Sequence, residues 1–232
     1  MAVSALTEGD LLGLLGVYGY VLAVVMISWL LRDKMSNARK LVHILTGGIV
    51  FFWWSFDSAA VMAGLAALPF VLLLLLATPR SPVAFLRKSP LGQRSSEGHP
   101  YGLVFYAISW TMIAYLLFDD LFAASIAIAA MSFGDGMGEL VGCRYGKIRY
   151  SPHRTLEGSL AVFLATLVSI LVLSWFYFGL IDYSGGTQPE LLVLFAFAVA
   201  GFVAFLEAVT PGAVDNLVLP LFVAGWLHMM GV

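Results

Sequence analysis

The chain has 232 residues, of which 61% are hydrophobic and only 11% are charged, and its mean hydropathy is +0.94. This composition excludes an ordinary soluble domain and indicates a polytopic membrane protein. The net charge of −2 argues against a nucleic-acid partner, and a single cysteine, Cys143, excludes an internal disulfide.

Eight apolar runs predict an all-α fold of about eight transmembrane helices. No basic segment or cleavage pattern accompanies the first run, so we interpret it as a retained helix rather than a signal peptide. Several runs approach the ~20 residues that a span needs, whereas the second and the last are short. In chain order they are Leu11–Leu31, Leu41–Phe56, Ala59–Ala77, Tyr101–Phe118, Leu121–Val141, Leu160–Ile181, Leu191–Val209 and Leu217–Val232.

The basic residues predict the orientation of these helices. All twelve Lys and Arg residues lie in three connections, Arg32 to Lys40, Arg80 to Arg94 and Arg144 to Arg154, and the alternate connections contain none. By the positive-inside rule, every base is cytoplasmic and both termini are non-cytoplasmic. We therefore expect one integral membrane domain over residues 1–232. The connection 80–100 is either a solvated loop or an interfacial amphipathic helix that binds anionic lipid.

The inner end of the second run combines two bases with a histidine. Arg39 and His43 are four residues apart and share one helix face, with Lys40 beside them. Membrane topology alone is enough to explain Arg39 and Lys40. His43 enters the apolar run, where an imidazole needs a partner. It either bonds a helix carbonyl, or contacts phosphate or relays a proton.

The most polar stretch of the chain is Ser132 to Ser159. It contains three carboxylates, four bases and five glycines before Lys147. Carboxylates bind Mg²⁺, bases bind phosphate, and glycines allow backbone N–H groups to approach anions. The stretch therefore predicts phosphate chemistry at a membrane surface. Asp135 and Glu139 are spaced to share a helix face, and the glycines around them predict a loose or broken helix.

A second group of polar residues follows the seventh run. Glu207 lies near its inner end, and Asp215 and Asn216 precede the eighth run. A charged group at membrane depth costs at least ~2.5 kcal/mol, so by default it faces a cavity and has a function. The alternative is that Glu207 and Asp215 pair with arginines and fix the helix packing.

Three ordered blocks carry a family resemblance: ARKLVHILTGG (38–48), GDGMGELVGCRYGK (134–147) with RTLEGS (154–159), and EAVTPGAVDNLVLP (207–220). Together they resemble the polyprenol kinase family, which includes phytol, farnesol and dolichol kinases and the CTP-dependent diacylglycerol kinase. The short chain resembles phytol and farnesol kinases most. The resemblance implies transfer of the γ-phosphoryl group of a nucleotide, typically CTP, to a lipid alcohol. Arg154 replaces the lysine that is common in the family, and arginine retains phosphate binding.

The residues and the resemblance together suggest a division of roles. Mg²⁺ is expected at Asp135, Glu139 and Asp215, with Asn216 as a neutral ligand. Asp135 is also expected to act in catalysis, and Glu157, or less favourably His43, to accept the hydroxyl proton. The triphosphate is expected to contact Arg39, Lys40, Lys147, Arg154 and the backbone at Gly134, Gly136, Gly138 and Gly142.

The expected substrate is a prenyl alcohol such as phytol, farnesol or geranylgeraniol, with its tail in a groove between helices that opens to membrane lipid. Two other functions stay open. One is a cytidylyltransferase like the CDP-lipid synthases, although their signature near a His-Gly-Gly is missing. The other is a membrane transporter, although the polar residues lie at one interface and no clear repeat is present.

Overall fold

The computed structural model describes residues 6–31, 38–89, 92, 101–183, 191–212 and 214–231, with the backbone alone at 38 and 39. Helices dominate, and each of the eight predicted apolar runs is helical over most of its described length. A 3₁₀ segment, Gly47–Ser55, continues the second helix. In chain order the helices are α1 (Glu8–Leu31), α2 (Ala38–Thr46), α3 (Ala59–Leu76), α4 (Ala84–Arg87), α5 (Gly102–Leu116), α6 (Leu121–Tyr145), α7 (Leu156–Leu180), α8 (Leu192–Val209) and α9 (Asp215–Met230).

Five of the helices in the described part of the chain are long and apolar enough to cross a membrane, namely α1, α3, α6, α7 and α8. The apolar segments Lys40–Ser55 and Gly102–Leu116 are shorter. A membrane protein with several spanning helices is therefore supported. The count of eight spans and the side on which the termini lie stay predictions.

Helix α6 forms the centre of the helix assembly. In its most apolar window 89% of the residues are buried, against 22 to 28% in the other four long helices. Its first half, LFAASIAIAA, is rich in small residues, which let neighbouring helices approach closely. The surrounding helices keep large apolar side chains such as Leu15 and Leu22 exposed. Burial of α6 extends as far as Gly138, whereas Glu139 and residues 143–145 are exposed.

The glycine-rich part of α6 is widened rather than broken. Residues Ala130–Asp135 form a π-helical turn, and a regular α-helix resumes at Gly136. Ser132 in this turn donates to the carbonyl of Ile128 and bonds the Tyr106 hydroxyl, both at 2.8 Å. The expectation of a loose or broken helix is thus met only by the π turn. Such turns occur often at functional sites.

A small hairpin corrects the all-α expectation. Strands β1 (Arg149–Ser151) and β2 (Arg154–Thr155) pair antiparallel between α6 and α7. Their brevity, and the proline in the turn between them, left no alternating pattern for the sequence analysis to detect. In the 80–100 connection, α4 is a single turn, and residues 90, 91 and 93–100 lie outside the described part. The interfacial helix therefore stays a prediction.

Candidate active site

A polar pocket lies where the C-terminal parts of α6 and α8 and the N-terminal parts of α7 and α9 meet the hairpin. Its volume is about 450 Å³. Its lining contains the predicted residues Asp135, Glu139, Arg154 and Asp215, from blocks that are up to 80 residues apart in the chain. The fold thus gathers charged residues of two of the three blocks around one space. The other lining residues are Gly138, Gly142, Cys143, Arg149, Pro152, His153, Thr155, Gly158, Ser159, Glu207 and Gly212.

Lys40 of α2 bridges the two carboxylates of α6. Its Nζ lies 2.8 Å from Asp135 Oδ2 and 2.6 Å from Glu139 Oε2. Lys40 and Asp135 are buried, whereas the Glu139 side chain is 56% exposed. The shared face predicted for Asp135 and Glu139 is therefore confirmed. Lys40, predicted as a phosphate ligand, neutralises the buried carboxylate in this structure, as a buried charge requires.

His43 lies one helical turn further along α2 and is almost fully buried. Its Nε2 is 3.1 Å from the Met131 carbonyl and 3.7 Å from Asp135 Oδ2, and its ring meets Tyr106 edge to face. A carbonyl oxygen only accepts hydrogen bonds, so the Nε2 bears the proton and Nδ1 of the neutral ring has a lone pair. His43 thus bonds a helix carbonyl, as one alternative predicted, and also lies beside the buried carboxylate.

Arg154 connects the hairpin to the end of α8. Its guanidinium pairs with the buried Glu207 carboxylate and donates to the Thr210 carbonyl at 3.1 Å. The packing alternative is therefore confirmed for Glu207. Because Arg154 also lines the pocket, the Glu207 pair holds a cationic group at the pocket wall.

Glu157 anchors the segment that follows α6. Its carboxylate accepts hydrogen bonds from the backbone N–H groups of Lys147, at 3.0 Å, and Ile148, at 3.2 Å. Thr155 caps the start of α7 by accepting from the Gly158 N–H at 3.1 Å. Neither Glu157 nor Lys147 lines the polar pocket, and Lys147 is exposed. Their predicted roles as base and phosphate ligand stay predictions.

The four predicted glycines lie at helix contacts. A Cβ at Gly134, Gly136 or Gly138 would overlap the side chain of Thr166, Ile44 or Val162, respectively. These glycines therefore let α2 and α7 approach α6. Gly138 and Gly142 also line the pocket, whereas Gly134 and Gly136 do not. N–H groups inside a helix already bond the preceding turn, so phosphate binding by these glycines stays a prediction.

The residues expected to bind Mg²⁺ lie near one another, but not all of them line the polar pocket. Asp215 lines the pocket with Asp135, close enough for their charges to interact. Asn216 lies outside the lining. Its amide donates to the Gly102 carbonyl at 3.2 Å, and its Oδ1 is buried without a hydrogen-bond partner among the described residues.

These donors fit a magnesium ion. In the described ranges no three Asp, Glu, His or Cys side chains form a ready metal cluster. Mg²⁺ usually takes only one or two protein carboxylates, and phosphate oxygens and waters complete its shell. Asp135 and Asp215 satisfy that requirement.

Two pocket residues were missed by the sequence analysis. Arg149 and His153 lie on the hairpin and line the pocket from that side. Their signal was the cluster of bases between Arg144 and Arg154, which we had expected to bind phosphate as a group without assigning Arg149 or His153 a place in the site. The side chain of Arg39 lies outside the described part of the chain, so its predicted role is untested.

Several known proteins that are similar to this chain have the names of prenyl alcohol kinases. Phytol kinase from Synechocystis sp. is 33% identical over 87% of this chain and 84% of its own length. Phytol kinase 1, chloroplastic, from Arabidopsis thaliana is 28% identical over 70% of this chain and 56% of its own. The chain belongs to the phytol and farnesol kinase family. Farnesol kinase, chloroplastic, from Arabidopsis thaliana is 26% identical over 79% of this chain and 62% of its own.

Membership in this family confirms the predicted resemblance and the prediction of a kinase. This chain spans only 56 and 62% of the two Arabidopsis proteins, and 84% of the Synechocystis protein. Neither a protein-family model nor a solved structure matches the chain.

Proposed function

We propose that this protein transfers the γ-phosphoryl group of CTP to a prenyl alcohol such as phytol, farnesol or geranylgeraniol. The observation that carries the proposal is the contact between His43 and Asp135, 3.7 Å apart. Asp135 lines the charged pocket, and His43 lines an apolar cavity on the other side. A kinase for lipid alcohols needs these two environments to meet at the reacting atoms.

The polar pocket has the groups that a nucleotide triphosphate requires. Arg154 and Arg149 supply guanidinium groups. A single guanidinium binds two phosphate oxygens at once through parallel N–H bonds. Lys40 lies beside the Asp135 carboxylate and neutralises negative charge that develops on the transferred phosphoryl group. Asp135 and Asp215 would hold Mg²⁺, and the ion would supply positive charge that offsets the charge of the phosphates.

The reaction is an in-line displacement at the γ-phosphorus. The alcohol oxygen forms a bond to phosphorus, the bond from phosphorus to the β,γ-bridging oxygen breaks, and CDP leaves with that electron pair. The hydroxyl proton passes to a base on the enzyme. We assign this proton to the lone pair on His43 Nδ1, since the Nε2 donates to Met131. Both carboxylate oxygens of Glu157 already accept from the backbone N–H groups of Lys147 and Ile148.

The assignment of the base predicts unequal effects of two substitutions. Glu157→Gln retains an oxygen acceptor for the backbone N–H groups, so we expect kcat to fall by less than ~10-fold. His43→Gln removes the base, and general-base catalysis contributes ~100-fold or more to rate. Steady-state assays of the two purified variants measure the difference. A larger loss for Glu157→Gln, with α7 and the hairpin intact, would return the role of base to Glu157.

The reaction is assigned to the cytoplasmic face and to CTP as donor. All twelve Lys and Arg residues lie in the connections expected inside, and two from the last of these, Arg149 and Arg154, line the polar pocket. The choice of CTP rests on the family resemblance.

A labelling experiment tests the proposed function. Purified protein in detergent is given phytol or farnesol with Mg²⁺ and CTP labelled at the γ- or the α-phosphate. We expect the lipid product to acquire label from γ-labelled CTP alone. Label from α-labelled CTP would instead identify a cytidylyltransferase. Movement of an unmodified substrate across proteoliposomes, with no phosphorylated product, would identify a transporter. ATP, GTP and UTP in parallel define the donor.

A further inference from the structure

An apolar cavity lies on the far side of His43 from the polar pocket. It lies between α1, α2, α3 and α5, has a volume of about 120 Å³ and is open on one side, so a ligand longer than this space extends out of it. Its lining is almost entirely hydrocarbon. Phe70 stacks on Trp110 with ring centroids 5.4 Å apart and forms a flat aromatic wall.

The two ends of this cavity differ. His43, Tyr106 and Trp110 are buried at one end, whereas Val25 and Leu73 are 46 and 39% exposed on the outer surface of α1 and α3. The cavity therefore runs from the lipid-facing surface of the helices to the histidine beside Asp135. An amphiphile that enters from the bilayer would reach the reacting groups with its polar end first.

We infer that this cavity binds the isoprenoid chain of the alcohol and places its hydroxyl at His43, an inference that rests on the proposed kinase function. The lining suits one apolar chain with a single small polar end. Thr46 already bonds the Val42 carbonyl and Tyr106 already bonds Ser132. Among the described lining residues this leaves His43 and the Nε1 of Trp110, which is buried without a hydrogen-bond partner, for a hydroxyl. Within the described part of the chain, the lining contains no Lys or Arg that would bind the phosphate of a membrane phospholipid.

The inference predicts that the cavity sets the preference for chain length. Leu74→Trp puts an indole into the cavity, whereas Leu75→Trp puts the same group on the exposed side of the same helix. We expect Leu74→Trp to raise the KM for phytol by ~10-fold or more, and to shift the preference towards the shorter farnesol. The KM for CTP should stay within about twofold, and Leu75→Trp should resemble the wild type.

A second pair of variants covers the case in which Leu74→Trp does not fold. Val25→Trp narrows the open end of the cavity, and its control is Leu22→Trp, an exposed position one turn away on α1. Both lie on a lipid-facing surface that tolerates bulk. Equal KM values for phytol in a variant and its control, or a raised KM for CTP, would overturn the inference.

A binding measurement separates this inference from the proposed function. Wild-type protein is irradiated with a farnesol analogue that bears a terminal benzophenone, and the labelled peptides are identified by mass spectrometry. We expect adducts on α1, α3 or α5 that excess phytol suppresses and phosphatidylglycerol does not. Adducts in the cavity without any phosphorylation would retain the inference and refute the kinase. Adducts elsewhere, or equal suppression by the phospholipid, would refute the inference even if the protein is a kinase.

Discussion

Asp135→Asn is expected to lower kcat for phosphoryl transfer by ~100-fold while the protein remains folded. The carboxylate is buried 2.8 Å from Lys40 Nζ, and we assign it to the magnesium and phosphate end of the reaction. A neutral amide cannot neutralise the charge of a divalent cation, and a lost electrostatic contact of this kind costs ~3 kcal/mol, or ~100-fold in kcat. Lys40 keeps its second partner, Glu139, at 2.6 Å, so helix α2 stays paired with α6.

The matched control for this variant is Asp10→Asn. Asp10 is equally buried, but it lies in the first turn of α1, where its carboxylate accepts from the Asp57 N–H at 3.1 Å. It shares the burial of Asp135 without a place in the pocket. We expect Asp10→Asn to lower the unfolding temperature in detergent and leave kcat nearly unchanged. Near-normal turnover of Asp135→Asn, or unfolding of that variant alone, would remove Asp135 from the magnesium site.

Local sequence features predicted those parts of the site that depend on local spacing. Asp135 and Glu139 are four residues apart on a helix, so their common face followed from helical periodicity, and Lys40 contacts both. The helical runs were predicted from hydropathy in the same way. A chain that crosses lipid must hydrogen-bond its backbone N–H and C=O groups internally, and only helices and closed barrels do so. Both predictions needed only neighbours along the chain.

The remaining parts depended on long-range packing, so the sequence left their alternatives open or favoured the wrong one. Arg154 pairs with Glu207, 53 residues away, because the hairpin folds against the end of α8. Glu157 was expected to accept the hydroxyl proton. Its carboxylate instead accepts a hydrogen bond from the backbone N–H group of Lys147, ten residues earlier in the chain. The glycines of α6 suggested a phosphate-binding loop, and the fold uses them for helix contact. In each case a polar or small residue could either bind substrate or stabilise the fold. The tertiary contacts show which structural role the residue has.

Lys40→Ala is expected to destabilise the protein as well as to lower its activity. Removing one partner of a buried ion pair leaves an uncompensated charge and typically costs ~3–5 kcal/mol. Asp135 loses its nearest cation in this variant, whereas the exposed Glu139 loses little. The measurement is thermal or denaturant unfolding in detergent together with kcat. Arg80→Ala is the control, since it removes an exposed base from another connection of the same predicted face.

A double substitution separates the structural role of Lys40 from its catalytic role. In Lys40→Ala/Asp135→Asn the buried carboxylate is gone, so most of the lost stability should return. Activity should not return, because the cation beside the transferred phosphoryl group and the magnesium ligand are both missing. If the single variant is as stable as Arg80→Ala, the buried bridge between α2 and α6 contributes nothing to folding. If the stable double variant regains turnover, Lys40 is only a structural counter-ion, and neither it nor Asp135 acts on the phosphates.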